Sequence, residues 1–243
     1  MKKLLTWTAV VLAVAFTTST AMAQRAYGID VYEGNGSINW TSVNNAGAHF
    51  AWAKATEGTY YKDANFWGNM NSGKNAGVIM GAYDYVRPDL DSPSAEASYF
   101  YNVAGPWITT RLSAAPALDL EVFNGVVGAS SYTAWCNAWF NSVKSYVSAK
   151  GFKIFNPVIY ISACNACELS GSGGGFPWIA SYNGENSETG SPWNVCTSCE
   201  HWGSNGWDVW QFTDTAHVSG VSGYCDEDVF HGSNLAGSYL QIQ

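Results

Sequence analysis

At residues 117–121 the chain reads Ala117-Leu118-Asp119-Leu120-Glu121, with apolar and acidic side chains in alternation. Side chains along a strand point alternately to its two faces, so residues i and i+2 share one. In a (β/α) barrel the C-terminal strand ends form one rim around a mouth. The pattern therefore predicts that Leu118 and Leu120 meet surrounding helices. Asp119 and Glu121 would face the barrel interior near its mouth.

This run is the fourth of eight. The others cover residues 27–32, 50–55, 78–86, 158–162, 178–182, 209–212 and 224–230. Helix-like stretches or turns separate them, which predicts an α/β fold, a TIM-like barrel built on parallel strands. Tyr132, Trp135, Cys136, Trp139, Val143, Tyr146 and Val147 recur at helical spacing and predict one buried stripe. Ser92 followed by Pro93 predicts a helix N-cap with proline at the first helical position. After Val158 the connections are short and rich in Gly, Ser, Cys and Asn. The barrel is thus expected to be regular in its first half and partly irregular in its second. At 47% hydrophobic and 12% charged residues, the 243-residue chain is no disordered polymer. No composition break divides residues 26–243, and 24–243 read as one domain.

The first 23 residues read as a secretory signal peptide. Lys2 and Lys3 precede a short apolar stretch, and Ala21-Met22-Ala23 has the form that signal peptidase cuts. Export, to the periplasm or the outside, is expected. Without Lys2 and Lys3, 9 basic residues face 19 acidic ones, a formal charge of −10. Such a surface repels nucleic acid and anionic lipid, so neither is an expected partner. Six cysteines follow: Cys136, Cys164, Cys167, Cys196, Cys199 and Cys225. The two Cys-x-x-Cys pairs allow a zinc site, but an even count in an exported chain favours disulfides, here three. The sequence does not choose among the pairings.

Acidic residues gather where strands end: Asp30, Asp84, Asp119, Glu121 and Asp226, with Glu57 just after the second run. On one barrel rim they would converge on one cleft. Two carboxylates in a low-dielectric cleft cannot both ionise cheaply, so one is expected to hold a proton. That is the equipment for splitting a glycosidic bond, with Asp119 ionised beside a protonated Glu121. Lys54 and Arg87 are the bases near enough to pair with them. Tyr83, Tyr85, Tyr160, Tyr182, Trp207 and Trp210 lie in or beside strand ends and offer faces on which sugar rings stack. No G-x-S-x-G, P-loop or H-E-x-x-H motif is present, and no cofactor or metal is expected.

Seven segments together resemble glycoside hydrolase family 25, the Chalaropsis-type lysozymes. They are YGIDVYEGNGSINW at 27–40, FAWAKATEGTYYKDANF at 50–66, GAYDYVRP at 81–88, ALDLE at 117–121, VIYIS at 158–162, WIASYN at 178–183 and WDVWQFTDTAHVSGVSGYCDEDVF at 207–230. The resemblance implies a partly irregular β/α barrel that hydrolyses the β-1,4 bond between N-acetylmuramic acid and N-acetylglucosamine with retention. It implies peptidoglycan glycan strands as partner, bound by a monomer. By motif, Asp30 and Asp226 match the family's first-strand and last-strand aspartates, and Glu121 resembles its general acid/base. Asp119 either attacks or supports attack by the substrate's acetamido group. Tyr83, Asp84, Tyr85, Tyr160, Tyr182, Trp210, Lys54 and Glu57 are the expected sugar contacts. Two features depart from the family pattern. Asp84 stands where members often carry His, and the paired Cys-x-x-Cys segments suggest pinned loops beside the cleft. A family 18 chitinase fits less well, because Pro116 and Ala117 stand where its signature needs acids. A non-catalytic wall-binding protein would not need the four carboxylates.

Overall fold

The computed structural model describes residues 24–111, 113–124, 129–199, 202 and 206–243. The expected signal segment lies outside them. In chain order the elements are β1 (Ala26–Val31), α1 (Trp40–Asn45), β2 (Ala48–Glu57), β3 (Tyr61–Lys62), α2 (Phe66–Asn75), β4 (Ile79–Tyr85), α3 (Pro93–Ile108), β5 (Ala117–Asp119), α4 (Ala129–Ala149), β6 (Val158–Ser162), β7 (Phe176–Ala180), β8 (Val209–Ala216) and β9 (Cys225–Phe230). Eight strands run in the order β1-β9-β8-β7-β6-β5-β4-β2, and pairing of β1 with β2 closes the barrel. The short β3 folds back on the end of β2.

One expectation is overturned. The strands are not all parallel, because β9 runs antiparallel to both β1 and β8. The reversal places the first residues of β9, not its last, at the mouth. Asp226 pairs directly with Asp30 there, whereas a parallel strand would have carried it to the opposite end.

Alternation sorts the side chains into two cores. Ile29, Val31, Ala51, Ala53, Ala82, Leu118, Leu120, Ile159, Ile161 and Ile179 point outward and pack with the helices. Phe50, Trp52, Tyr83, Ala117, Val158, Trp178, Val209 and Phe230 fill the barrel, sealed below by Leu235 and Leu240 of the C-terminal tail. The interior is full enough that two strands need glycine. A Cβ on Gly28 would strike the Phe50 ring, and one on Gly81 the Trp52 indole. The plug therefore leaves free space only at the mouth.

The helical expectations hold. Ser92 Oγ accepts from Ala95 N at 3.4 Å and caps α3. Along α4, Tyr132, Trp135, Cys136, Trp139, Val143 and Val147 are buried, while Tyr146 stacks on Tyr101 with ring centroids 4.2 Å apart. After β6 the described connections hold only short 3-10 turns.

Two disulfides form instead of three, Cys164–Cys196 and Cys167–Cys199. They tie the segment after β6 to the long connection between β7 and β8, so these four sulfurs are not a zinc set. Cys136 and Cys225 are buried thiols. Cys136 packs into the helical layer from α4, and Cys225 opens β9, four strands from β5 around the barrel. Intact mass of the native protein should therefore fall below the reduced mass by about 2 Da for each of two bridges, one hydrogen per thiol. Reduction should cost roughly 2–4 kcal/mol per bridge in a denaturant titration. A mass deficit matching three bridges, or none, would contradict this arrangement.

Candidate active site

The mouth opens into a pocket of about 260 Å³ lined by Asp30, Lys54, Tyr83, Tyr85, Asp119, Glu121, Tyr160, Tyr182 and Asp226, with Tyr32, Trp178 and Gln211 completing it. Each comes from the inward register of its strand or from the residues just past a strand end. A second cavity of about 420 Å³ continues from it past Ser162, Asn165, Ser181 and Val195. Glu121, Tyr160 and Tyr182 line both. Glu121 thus stands midway along a groove, and Cys164 places the disulfide-tied wall at its far side.

The acid pair differs in exposure. Asp119 is 7% exposed, and its Oδ1 receives no hydrogen bond among the described residues. Glu121 lies just beyond the end of β5 and is exposed to the groove. Burial pushes the Asp119 carboxyl well above the usual carboxylate range, and the charge of Glu121 pushes it further. Burial also raises Glu121, while its hydrogen bond with Asp119 and the Lys54 ammonium oppose that rise. Burial thus raises both carboxyls, and Asp119 is the more deeply buried of the two. Desolvation penalises the charge of the more buried group more.

Across the pocket, Gln211 is 3% exposed and orders three neighbours. Its Oε1 accepts from Tyr160 OH at 2.9 Å and Tyr182 OH at 2.6 Å. The amide orientation is thereby fixed, and Nε2 donates to Asp30 Oδ2 at 2.7 Å. Burial and the charges of Asp228 and Asp226 hold Asp30 well above the usual range. Asp226 is raised to about 6, chiefly by burial. Lys54 is the pocket's one cationic lining residue. Its Nζ donates to Glu57 Oε2 at 2.9 Å and lies 4.6 Å from the Tyr85 ring centroid.

The chain matches the family model "Glycosyl hydrolases family 25" over residues 29–221. The chain belongs to this family. It is a glycoside hydrolase of the lysozyme class. It is 36% identical over 225 residues to lysozyme M1 of Streptomyces globisporus, covering 89% of this chain and 71% of that protein. It is 25% identical to an N,O-diacetylmuramidase of Arthroderma benhamiae, covering 91% of this chain and 93% of that one. A crystal structure of a bacterial lysozyme from Streptomyces coelicolor superposes with a TM-score of 0.71 at 33% identity, covering 87% of this chain and 94% of that one.

Within this family 25 barrel, four residues expected to face sugar lie elsewhere. Asp84 is fully buried on the outward face of β4, accepting from Thr56 Oγ1 at 2.7 Å and Trp139 Nε1 at 3.0 Å. One strand residue separates it from the inward set, so it meets helix α4 rather than sugar. Trp210 also faces outward, with Nε1 donating to Ser181 O at 2.9 Å, and Trp207 packs against His231 outside the mouth. Glu57 stands behind Lys54 and is bound by Tyr60 and Arg87 as well. Conversely, Gln211, Trp178 and Tyr32 line the pocket and Asp228 is buried beneath Asp226, and the sequence reading had singled out none of them. The i, i+2 rule applied from Asp226 would have found Asp228.

Behind the rim lies a second pair of buried acids. Burial raises Asp84 to about 7 and Glu96 to about 9, the latter with help from Asp84. Glu96 accepts the Arg87 backbone N–H with both oxygens, at 2.9 and 3.1 Å. Each binds its proton more tightly folded than unfolded, where the usual values are 3.8 and 4.5. Their stabilisation is complete below the unfolded values and is lost as pH rises through about 7 and about 9. Thermal melts should accordingly show Tm falling by roughly 5 °C or more from mildly acidic to mildly alkaline buffer. A Tm that rises across that window would contradict the assignment.

Proposed function

We propose that this protein is an exported muramidase, working as a monomer through its one barrel. It cleaves the β-1,4 bond between N-acetylmuramic acid and N-acetylglucosamine in bacterial peptidoglycan, with retention of configuration. The carrying observation is Glu121 standing where two cavities meet in one groove, with Asp119 beside it in the inner one. A glycan strand laid along the groove passes its scissile oxygen over Glu121. Tyr85, Tyr160 and Tyr182 flank that point, supplying aromatic faces for the apolar sides of sugar rings and hydroxyls for their polar edges. The N-terminal signal pattern and the two disulfides support export.

Glu121 donates its proton to the glycosidic oxygen as the bond to the leaving sugar breaks. The depth of Asp119 favours the substrate's acetamido oxygen as the attacking group, with Asp119 accepting the acetamido N–H. That hydrogen bond favours ionised Asp119 and a protonated Glu121, where the proton is needed. Asp30 and Asp226, with Asp119, place negative charge about the positive charge developing on the sugar ring. Water then opens the cyclic intermediate, with Glu121 acting as base, and the product keeps the β-configuration.

Glu121→Gln keeps the shape but removes the proton donor, so hydrolysis of purified peptidoglycan should fall by at least the 10²–10⁴-fold typical of general acid catalysis, roughly, with unchanged circular dichroism. Turnover close to wild type in a folded Glu121→Gln protein would remove Glu121 from this role. Wild-type protein should act on peptidoglycan and leave chitin largely intact.

The stereochemistry is separately testable. Proton NMR during the first turnovers should show the β-anomer of the new reducing end before mutarotation. An initial α-anomer would defeat retention by either nucleophile.

A further inference from the structure

The reaction leaves one acid of the barrel interior without a task. Asp228 is fully buried on the inward face of β9, two residues below Asp226, and its strand neighbours are Gly28 and Gln211. Its Oδ1 accepts Trp178 Nε1 at 2.7 Å. Its Oδ2 receives no hydrogen bond from any N–H or hydroxyl donor among the described residues. Its diagonal neighbour on the same inward face is Asp30, which pairs with Asp226 in register and takes the amide N–H of Gln211, the strand partner of Asp228; the charge of Asp228 acts on that carboxyl. Two carboxyls can bond only if a proton sits between them. The other titratable groups acting on Asp228 are Asp226 and Glu227 of its own strand, and Tyr27 and Cys225 feel its charge in turn. No cation is among these described neighbours. Lys54 acts on the Asp119–Glu121 side of the pocket.

We propose that Asp228 is a positioning residue that shares a proton with Asp30 across the pocket floor and so holds the Asp30 carboxyl toward the substrate. Gln211 fixes Asp30 from one side and Asp228 from below, leaving it one orientation. The shared proton also limits the negative charge beneath the sugar. Two full anions at that depth would repel each other and displace Asp30. This role rests on the muramidase reading for its consequence in catalysis, but the shared proton stands independently of it. Loss of that proton in alkaline solution would turn Asp30 out of place, so the pair adds to the alkaline fall in activity that proton loss from Glu121 also brings.

The test compares Asp228→Asn and Asp228→Leu with wild type, all as the mature chain. Asn keeps the shape and donates a permanent N–H to Asp30 in place of the titrating proton. Its kcat/KM profile on purified peptidoglycan should keep a descending alkaline limb displaced upward by about one pH unit or more. Its Tm should also decline less steeply with rising pH, because one fewer proton is released. Asp228→Leu, which leaves both Trp178 and Asp30 without their partner, should lower kcat at every pH, and Asn should restore it. Superimposable pH profiles and Tm slopes for wild type and Asp228→Asn would overturn the proposal. So would undiminished kcat in Asp228→Leu, or failure of the Asn variant to fold. If wild type leaves peptidoglycan intact, the muramidase reading fails, and the Tm slopes alone decide whether the proton is shared.

Discussion

Five carboxyl groups crowd the top of one barrel with a single ammonium for company. Asp30, Asp119, Glu121 and Asp226 line a pocket of about 260 Å³ with Lys54, and Asp228 lies buried beneath. Burying charge without a partner is costly, so the carboxyls answer by keeping protons. That constraint shapes both halves of the structure. It makes the mouth a reservoir of acids with unequal proton affinity, which is what glycosidic cleavage needs. It also means the mouth contributes little to stability, and the rest of the barrel must supply it. The aromatic plug, the outer apolar layer and the two disulfides do so.

The reversed last strand is what brings the reservoir together. Were β9 parallel like its neighbours, its first residues would sit at the floor, and Asp226 would never meet Asp30. Running the other way, it sets Asp226 directly opposite Asp30 and Asp228 opposite Gly28, where the absent side chain leaves Phe50 its room. Gln211 then bridges the acidic side to the tyrosines, because its oxygen takes two hydroxyl donors and its nitrogen has Asp30 left to serve. Among the described residues, short turns in place of helices after β6 have a complementary effect. They free the wall that extends the groove, and the disulfides hold that wall in the absence of a packed helix.

Protonation also reaches beyond the mouth. Asp84 and Glu96 form a buried acid pair between strand β4 and the helices, one side chain away from the inward-facing Tyr83 and Tyr85. They bind α3, α4 and the backbone at Arg87 to the strand that carries the pocket's tyrosines. A family 25 lysozyme built in this way is held most firmly in mildly acidic surroundings, where these groups are neutral.

Much of this was legible in the sequence because it depends on periods. Alternation at residues 117–121 set the leucines outward and the acids inward, helical spacing set the face of α4, and Ser92-Pro93 set the start of α3. The four acids assigned to catalysis were each found at the mouth, as were Lys54, Tyr83, Tyr85, Tyr160 and Tyr182. What the sequence could not carry is any property of neighbours distant along the chain. Asp84 and Trp210 look like rim residues in a run of letters, yet parity within their strands turns them outward. Strand direction is equally silent in composition, so the antiparallel β9 emerged only from its pairing with β1 and β8. The choice of two disulfides over three follows from separation in space, and the unequal burial of Asp119 and Glu121 from where β5 ends. Local pattern decides which way a side chain points, and only closure of the barrel decides what it meets there.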